Sequence, residues 1–184
     1  HRPPQLRVVS NPEQAREAFK PNYPVFQNPY FEFAFNQTAY RFSDLFIQFT
    51  ERHLSSMVFY SGVGMGKTHL LSHIGELARA KNPGLRIRYT TFDTFTTEVV
   101  QCIRENTTHD FRKKYREETD LLLFDDVQGL TKRNRTQEEL LHIFNEITAK
   151  GGQVAFTTST PVHKIGDLIE PLRSRLTAAV SAEM

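Results

Sequence analysis

Gly62, Gly64 and Gly66 alternate with Val63 and Met65 and are followed at once by Lys67 and Thr68. Glycines let a backbone approach a bulky anion and turn successive N–H groups toward it, and a helix starting at the last glycine adds its partial positive charge. Lys67 then supplies a point charge for the outer phosphates of a nucleotide, and the Thr68 hydroxyl can ligate Mg²⁺. The strict pattern begins with glycine where this chain has Ser61, a change that a loop with three glycines tolerates. A chance glycine turn is the alternative. A short apolar strand before the loop and a helix after it argue against that alternative, so the segment reads as a P-loop for a nucleoside triphosphate, ATP with Mg²⁺.

Such a site needs carboxylates at the end of a buried strand. Leu121-Leu122-Leu123-Phe124 is apolar throughout and runs into Asp125-Asp126. A strand of this kind belongs in the sheet interior, so its carboxylates emerge at the C-terminal edge, where α/β proteins bind ligands. Asp125 would hold Mg²⁺ through water, and Asp126 would orient or deprotonate an attacking water. A plain strand-end turn is the other reading, since Asp is common in turns.

The elements that must position these residues alternate in type. Strands are expected at 57–60, 85–91, 121–124, 154–158 and 177–181. Between them fall a helix over 68–81, with Leu70, Leu71, Ile74, Leu77 and Ala78 on one face, and a helix capped by Asp93 with Phe95, Val99, Cys102 and Ile103 on its core stripe. A shorter helical stretch covers 110–115. Thr136 and Glu139 have capping-box spacing for a helix ending at Gly151-Gly152, and 161–175 holds another. Upstream, 37–53 has helical spacing, with Tyr40, Leu45 and Phe49 on one side and Phe42 and Phe46 adjacent. Residues 1–30 carry six of the nine prolines and read as an extended lead-in with a short helix near 13–19. The whole is an α/β three-layer sandwich around a mostly parallel five-stranded sheet, with 31–184 as the nucleotide-binding core.

Composition narrows the function classes. An apolar fraction of 39% and a charged fraction of 24% are those of a globular protein, and no apolar run approaches the length of a membrane helix. The single cysteine excludes an internal disulfide and fits a reducing cytoplasm. A net charge of +2 does not by itself imply nucleic acid, so any DNA contact must rest on local clusters. The first residue is His1 rather than Met, and the chain reads as an excised domain.

From Met57 to Arg175 the sequence resembles the ATPase domain of the bacterial replication initiators of the DnaA family, within the AAA+ superfamily. The resemblance is carried by the P-loop with His69-Leu70-Leu71, by Phe111-Arg112-Lys113-Lys114-Tyr115-Arg116, and by Leu122-Leu123-Phe124-Asp125-Asp126-Val127-Gln128. It continues through Arg135-Thr136-Gln137-Glu138-Glu139, with His142, Phe144 and Asn145, and closes at Leu172-Arg173-Ser174-Arg175. It covers both a main initiator and a diverged paralogue. It implies a P-loop NTPase that assembles head to tail on DNA when ATP-bound, acts in the cytoplasm, and contacts single-stranded DNA, a replicative helicase or other replication proteins. Arg175 matches the arginine finger that reaches a neighbouring subunit's ATP; a helix C-terminal Arg balancing the helix dipole is its alternative. Val100, Arg133 and Arg135 match the motif that tracks a single-stranded backbone, against an ordinary solvated loop. Ser159, preceded by Thr158, occupies the sensor position, where the family usually has an acidic residue.

Other departures are Pro171, where a second arginine is common, and the lack of the Phe-Val-Val-Gly stretch that helps enclose adenine, which leaves Tyr23, Phe26, Phe31 and Phe35 unassigned. The sequence stops before the family's helical lid and helix-turn-helix domains. Hydrolysis is therefore expected to be slow and to need a second subunit. A helicase-loader type ATPase and a degenerate P-loop interaction module are the competing functions. His69 and His73 have a zinc-like spacing but no further ligand nearby, and Cys102 reads as a buried hydrophobe rather than a nucleophile.

Overall fold

The computed structural model describes residues 22–32, 36–47 and 54–184. The helix expected at 13–19, the extension of the first helix beyond residue 47, and Phe35 lie outside them. Five strands form one sheet in the order β2-β3-β4-β1-β5: β1 (Ser56–Tyr60), β2 (Ile87–Thr91), β3 (Leu121–Asp125), β4 (Gln153–Thr158) and β5 (Val180–Glu183). Every pairing is parallel, with Met57 opposite Ala155, Leu123 opposite Ala155, and Met57 opposite Val180.

The alternation of strand side chains divides the core in two. Met57, Phe59, Leu121, Leu123 and Ala155 face α1 (Gln37–Ile47) and α2 (Lys67–Lys81). Val58, Leu122, Phe124, Val154 and Phe156 face the helices of the other layer, α3 (Phe92–Arg104), α5 (Asn134–Ala149) and α6 (Glu170–Ala178). Between them, α4 (Thr108–Arg112) runs on as a π turn through Lys113–Glu117 and adds Phe111 and Tyr115 to that second core. Both cores are continuous because a parallel sheet is covered on both faces. This is the expected three-layer α/β sandwich, with a sheet that is parallel throughout.

Several local expectations give way to tertiary context. On α1 the buried residues are Ala39, Ser43, Phe46 and Ile47, while Leu45 is half exposed. Helix α3 starts one residue before Asp93, and its cap is Thr91, whose Oγ1 accepts from the Thr94 N–H at 3.2 Å. Ile103 turns outward from the stripe kept by Phe95, Val99 and Cys102. Thr136 and Glu139 are buried inside α5 rather than capping it, because Glu139 receives Arg112 at 3.0 Å. The stretch 161–175 splits into a 3-10 turn at Val162–Lys164 and α6, which runs on to Ala178 and pushes β5 later than expected. The end of α5 follows its sequence signal: Gly151 has φ 84°, and the Gly152 and Gly151 N–H groups donate to Ile147 O at 2.9 Å and Thr148 O at 3.1 Å. That is a Schellman cap, which requires the left-handed residue that glycine supplies.

Residues 22–30, the described end of the proline-rich lead-in, lie along α2. Tyr23 is buried against Gly75, Ser72 Oγ donates to Pro24 O, and the His69 ring meets Asn28 O at 3.0 Å. Tyr30 lies 3.7 Å from where a side chain on Gly66 would begin. His73, on the same helix, stacks on Tyr40 of α1 at 5.2 Å and meets Tyr30 at 5.5 Å, and its buried Nε2 has no hydrogen-bond partner among the described residues. Burial holds the His73 imidazole below its ordinary pKa, and His69 adds to that, against the opposing pull of Asp44.

Two measurements follow. A side chain at Gly152 would start 2.6 Å from the Asp120 carbonyl oxygen. Gly152→Ala should therefore lower unfolding free energy by about 1–3 kcal/mol in urea titrations. Gly166→Ala, which has nothing within 4 Å, serves as the control and should stay within about 0.5 kcal/mol. For His73, the folded chain takes up its proton at lower pH than the unfolded chain does, so its contribution to stability is lost as pH falls below about 6.5. Thermal midpoints should drop between about pH 7.5 and 5.5, and His73→Gln should shrink that drop; an unchanged difference would exclude His73 as its source.

Candidate functional site

Strand β1 ends at Tyr60 and α2 begins at Lys67, so Ser61 to Gly66 form the loop between them at the C-terminal edge of the sheet. Gly64 and Gly66 have φ 81° and 89°, left-handed values that explain why glycine stands there. Val63 is 91% exposed and Met65 is exposed too, so the apolar side chains between the glycines point away from the loop's interior. Ser61 is buried, with its N–H on Thr158 O at 3.3 Å, which ties the start of the loop to the end of β4. Lys67 is 8% exposed, and its ammonium donates to Ser61 O at 3.2 Å and Gly62 O at 3.0 Å. An ammonium has three donors, so one remains for an anion at the loop mouth.

Asp125 closes β3 and is 3% exposed. It shares the face of Leu123, which is the α2 side, so its carboxylate meets the first turn of that helix. Thr68 Oγ1 donates to Asp125 Oδ2 at 2.7 Å. Tyr89 Oη on β2 donates to the same oxygen at 2.9 Å, and Thr157 Oγ1 on β4 donates to Oδ1. Burial first, and then the Asp125 charge, push the Tyr89 phenol well above its ordinary pKa, so it is a neutral donor.

Asp126 would face the other side of the sheet if the strand continued. Instead it adopts φ 59° and ψ 52°, with its N–H on Thr157 Oγ1 at 2.9 Å. Its Oδ1 accepts from Gln128 Nε2 at 3.0 Å, and Gln128 Oε1 accepts from the Ser159 N–H at 3.2 Å. One side-chain amide thus links the second carboxylate to the backbone of Ser159. The Thr158 hydroxyl is taken locally, donating to Thr160 O at 2.9 Å.

The structure brings together Gly62, Val63, Gly64, Met65, Gly66, Lys67, Thr68, Asp125, Asp126 and Ser159 at one edge of the sheet. It keeps others apart. Arg175 is exposed in the last turn of α6, the helix that hands the chain to the start of β5, and so lies toward the opposite edge. Among the described residues it makes no ion pair. Val100 is 48% exposed on α3, and Arg133 and Arg135 are exposed at the head of α5, on the same layer. Arg135 is 3.6 Å from Glu138 and 3.8 Å from Glu139.

Tyr89, Thr157 and Gln128 are the residues that sequence reading missed as site members. For the first two a signal existed: polar side chains near the ends of strands, at the parity of Asp125.

Hard oxygen donors at the loop mouth fit Mg²⁺, which takes one or two carboxylates and fills its shell with phosphate and water oxygens. Among the described residues no group of three or more His, Cys, Asp or Glu could hold a metal ion unaided. No described helix is long and apolar enough to cross a membrane.

The model of the bacterial DnaA ATPase domain matches residues 23–183. The chromosomal replication initiator protein DnaA of Thermomicrobium roseum is 41% identical over 125 residues, 68% of this chain and 27% of that protein. The chain thus spans little more than a quarter of the relatives it matches. Domain III of the Thermotoga maritima replication initiation protein DnaA superimposes with a TM-score of 0.80 at 32% identity, over 84% of this chain and 64% of that one. A replication initiator DnaA bound to AMPPCP and single-stranded DNA gives 0.77 at 30% identity, over 87% and 51%. A match over nearly the whole described length means that the chain belongs to the bacterial DnaA ATPase domain family.

Proposed function

We propose that this chain binds ATP with Mg²⁺ as the nucleotide-switched domain of a DNA replication initiator, assembling head to tail with further copies and engaging single-stranded DNA. The observation that carries the reading is the 2.7 Å contact of Thr68 Oγ1 with Asp125 Oδ2, which brings hydroxyl and carboxylate oxygens together beside a glycine loop whose Gly64 and Gly66 hold left-handed backbone. The similarity to an initiator bound to AMPPCP and single-stranded DNA supports both ligands. Family membership favours an initiator over a loader.

In this reading the loop amides and Lys67 bind the phosphates, while Thr68 and Asp125 hold the cation. Bound Mg²⁺ supplies charge neutralisation at the outer phosphates. Asp126, fixed by Gln128 and the Thr157 hydroxyl, orients a water or accepts its proton. Arg175, in the last turn of the helix that leads to β5, contributes in this reading to a neighbour's site, so a lone chain is a switch before it is an ATPase. Val100, Arg133 and Arg135 present an apolar contact and two cations on one layer for a phosphate backbone.

Titration with a fluorescent ATP analogue and Mg²⁺ should show binding that Lys67→Ala weakens by about 10–100-fold, the worth of a lost charge-assisted contact. Equal binding by the variant would sink the nucleotide assignment. For the strand contact, single-strand affinity should fall with salt. Arg133→Ala with Arg135→Ala should flatten the log–log slope by about 1.4, two phosphates' worth; an unaltered slope assigns the contact elsewhere.

A further inference from the structure

Asp125 is held by more donors than binding a cation beside Thr68 requires. Tyr89, Asp125 and Thr157 come from three adjacent strands, β2, β3 and β4. All three side chains fall on the α2 face, because Tyr89 pairs with Leu123, Leu123 with Ala155, and each site residue is two positions further along or in line. Tyr89 Oη reaches Asp125 Oδ2 at 2.9 Å, and Thr157 takes Oδ1, so both carboxylate oxygens are fixed from the sheet side. The Tyr89 backbone is pinned in turn: β2 is an edge strand, and the Tyr89 N–H donates to Asn22 Oδ1 at 3.3 Å.

We propose that Tyr89 is a positioning residue for the cation side of the site, holding the Asp125 carboxylate in the plane and rotamer in which it meets a cation-bound water. The inference rests on the nucleotide and Mg²⁺ reading above. Thr68 alone fixes only one point on the carboxylate, Oδ2, and a single hydrogen bond leaves the group free to turn about it. Tyr89 stands on β2, an edge strand separated from β1 and its loop by β3 and β4, and has only two side-chain torsions, so it holds Oδ2 from the sheet rather than from the loop. Partners of this kind, behind a metal ligand, are typically worth 10–100-fold in metal affinity.

The test uses the chain with Tyr89→Phe, which removes one oxygen and keeps the ring. Binding of a non-hydrolysable ATP analogue is followed in EDTA and across a Mg²⁺ series. The expected result is an affinity in EDTA within about two-fold of the parent, with the Mg²⁺ concentration for half-maximal tightening raised about ten-fold. Thr157→Val should shift the Mg²⁺ midpoint in the same direction. A Tyr89→Phe midpoint equal to the parent's overturns the inference while leaving the nucleotide reading intact, and so does an equal loss with and without Mg²⁺, which marks a merely structural residue. A parent chain that binds no nucleotide in either condition overturns both.

Discussion

The hydrogen bond between Thr68 and Asp125 joins the two halves of the site, and most of the fold is arranged so that it can form. The partners are 57 residues apart in sequence. They meet because β1 and β3 are parallel strands flanking β4, so their C-terminal ends share an edge, and because α2 starts at that edge and lies over the face to which Asp125 points. An antiparallel strand in either place would move one partner to the far end of the sheet. A one-residue slip in β3 would turn Asp125 toward α3 and α5 instead. The four apolar residues before it prevent that slip, since Leu121 and Leu123 fill one core and Leu122 and Phe124 the other.

Asp125 and Asp126 are adjacent and chemically identical, yet the backbone gives them different tasks. Continued strand geometry would send Asp126 to the opposite face. The left-handed conformation at Asp126 ends the strand abruptly, and Thr157 bridges the turn by donating to one carboxylate and accepting from the next residue's N–H. A non-glycine residue in that region is uncommon, and Asp is among the types that tolerate it best. Gln128 then ties Asp126 to the backbone of Ser159 on the next strand's loop. The Ser159 side chain is not needed for that tie, so the lack of a carboxylate there leaves the link between the two strand ends in place.

The P-loop was legible because its glycines answer a backbone requirement that no other residue meets as well, and the central strands were legible because uninterrupted apolar runs have few other uses. What was not legible depended on contacts between distant segments. Leu45 and Ile103 fit a helical stripe by spacing, but among the described residues tertiary packing leaves both exposed. Glu139 has capping-box spacing, but Arg112, 27 residues earlier, draws it into the interior of its helix. Tyr89 and Thr157 look like ordinary strand residues until the order of the sheet is known. Strand order is set by the crossovers, which no local pattern encodes.

The sheet also separates two kinds of surface. The loop, α2 and residues 22–32 lie on one side, where Tyr30 approaches Gly66 and Phe26 stacks on His69 at 4.3 Å. Val100, Arg133, Arg135 and Arg175 are carried by the helices of the other side. At the C-terminal edge a short chain of contacts joins the two sides: Thr68 to Asp125, Asp125 to Thr157, Thr157 to Asp126, Asp126 to Gln128. Gln128 lies in the 3-10 turn Val127–Leu130, whose Gly129 is in contact with Phe92 at the start of α3 and whose Leu130 carbonyl is held by Gln137 of α5 at 2.8 Å. The contacts of the site thus run without a break from Thr68 to the anchor points of both helices.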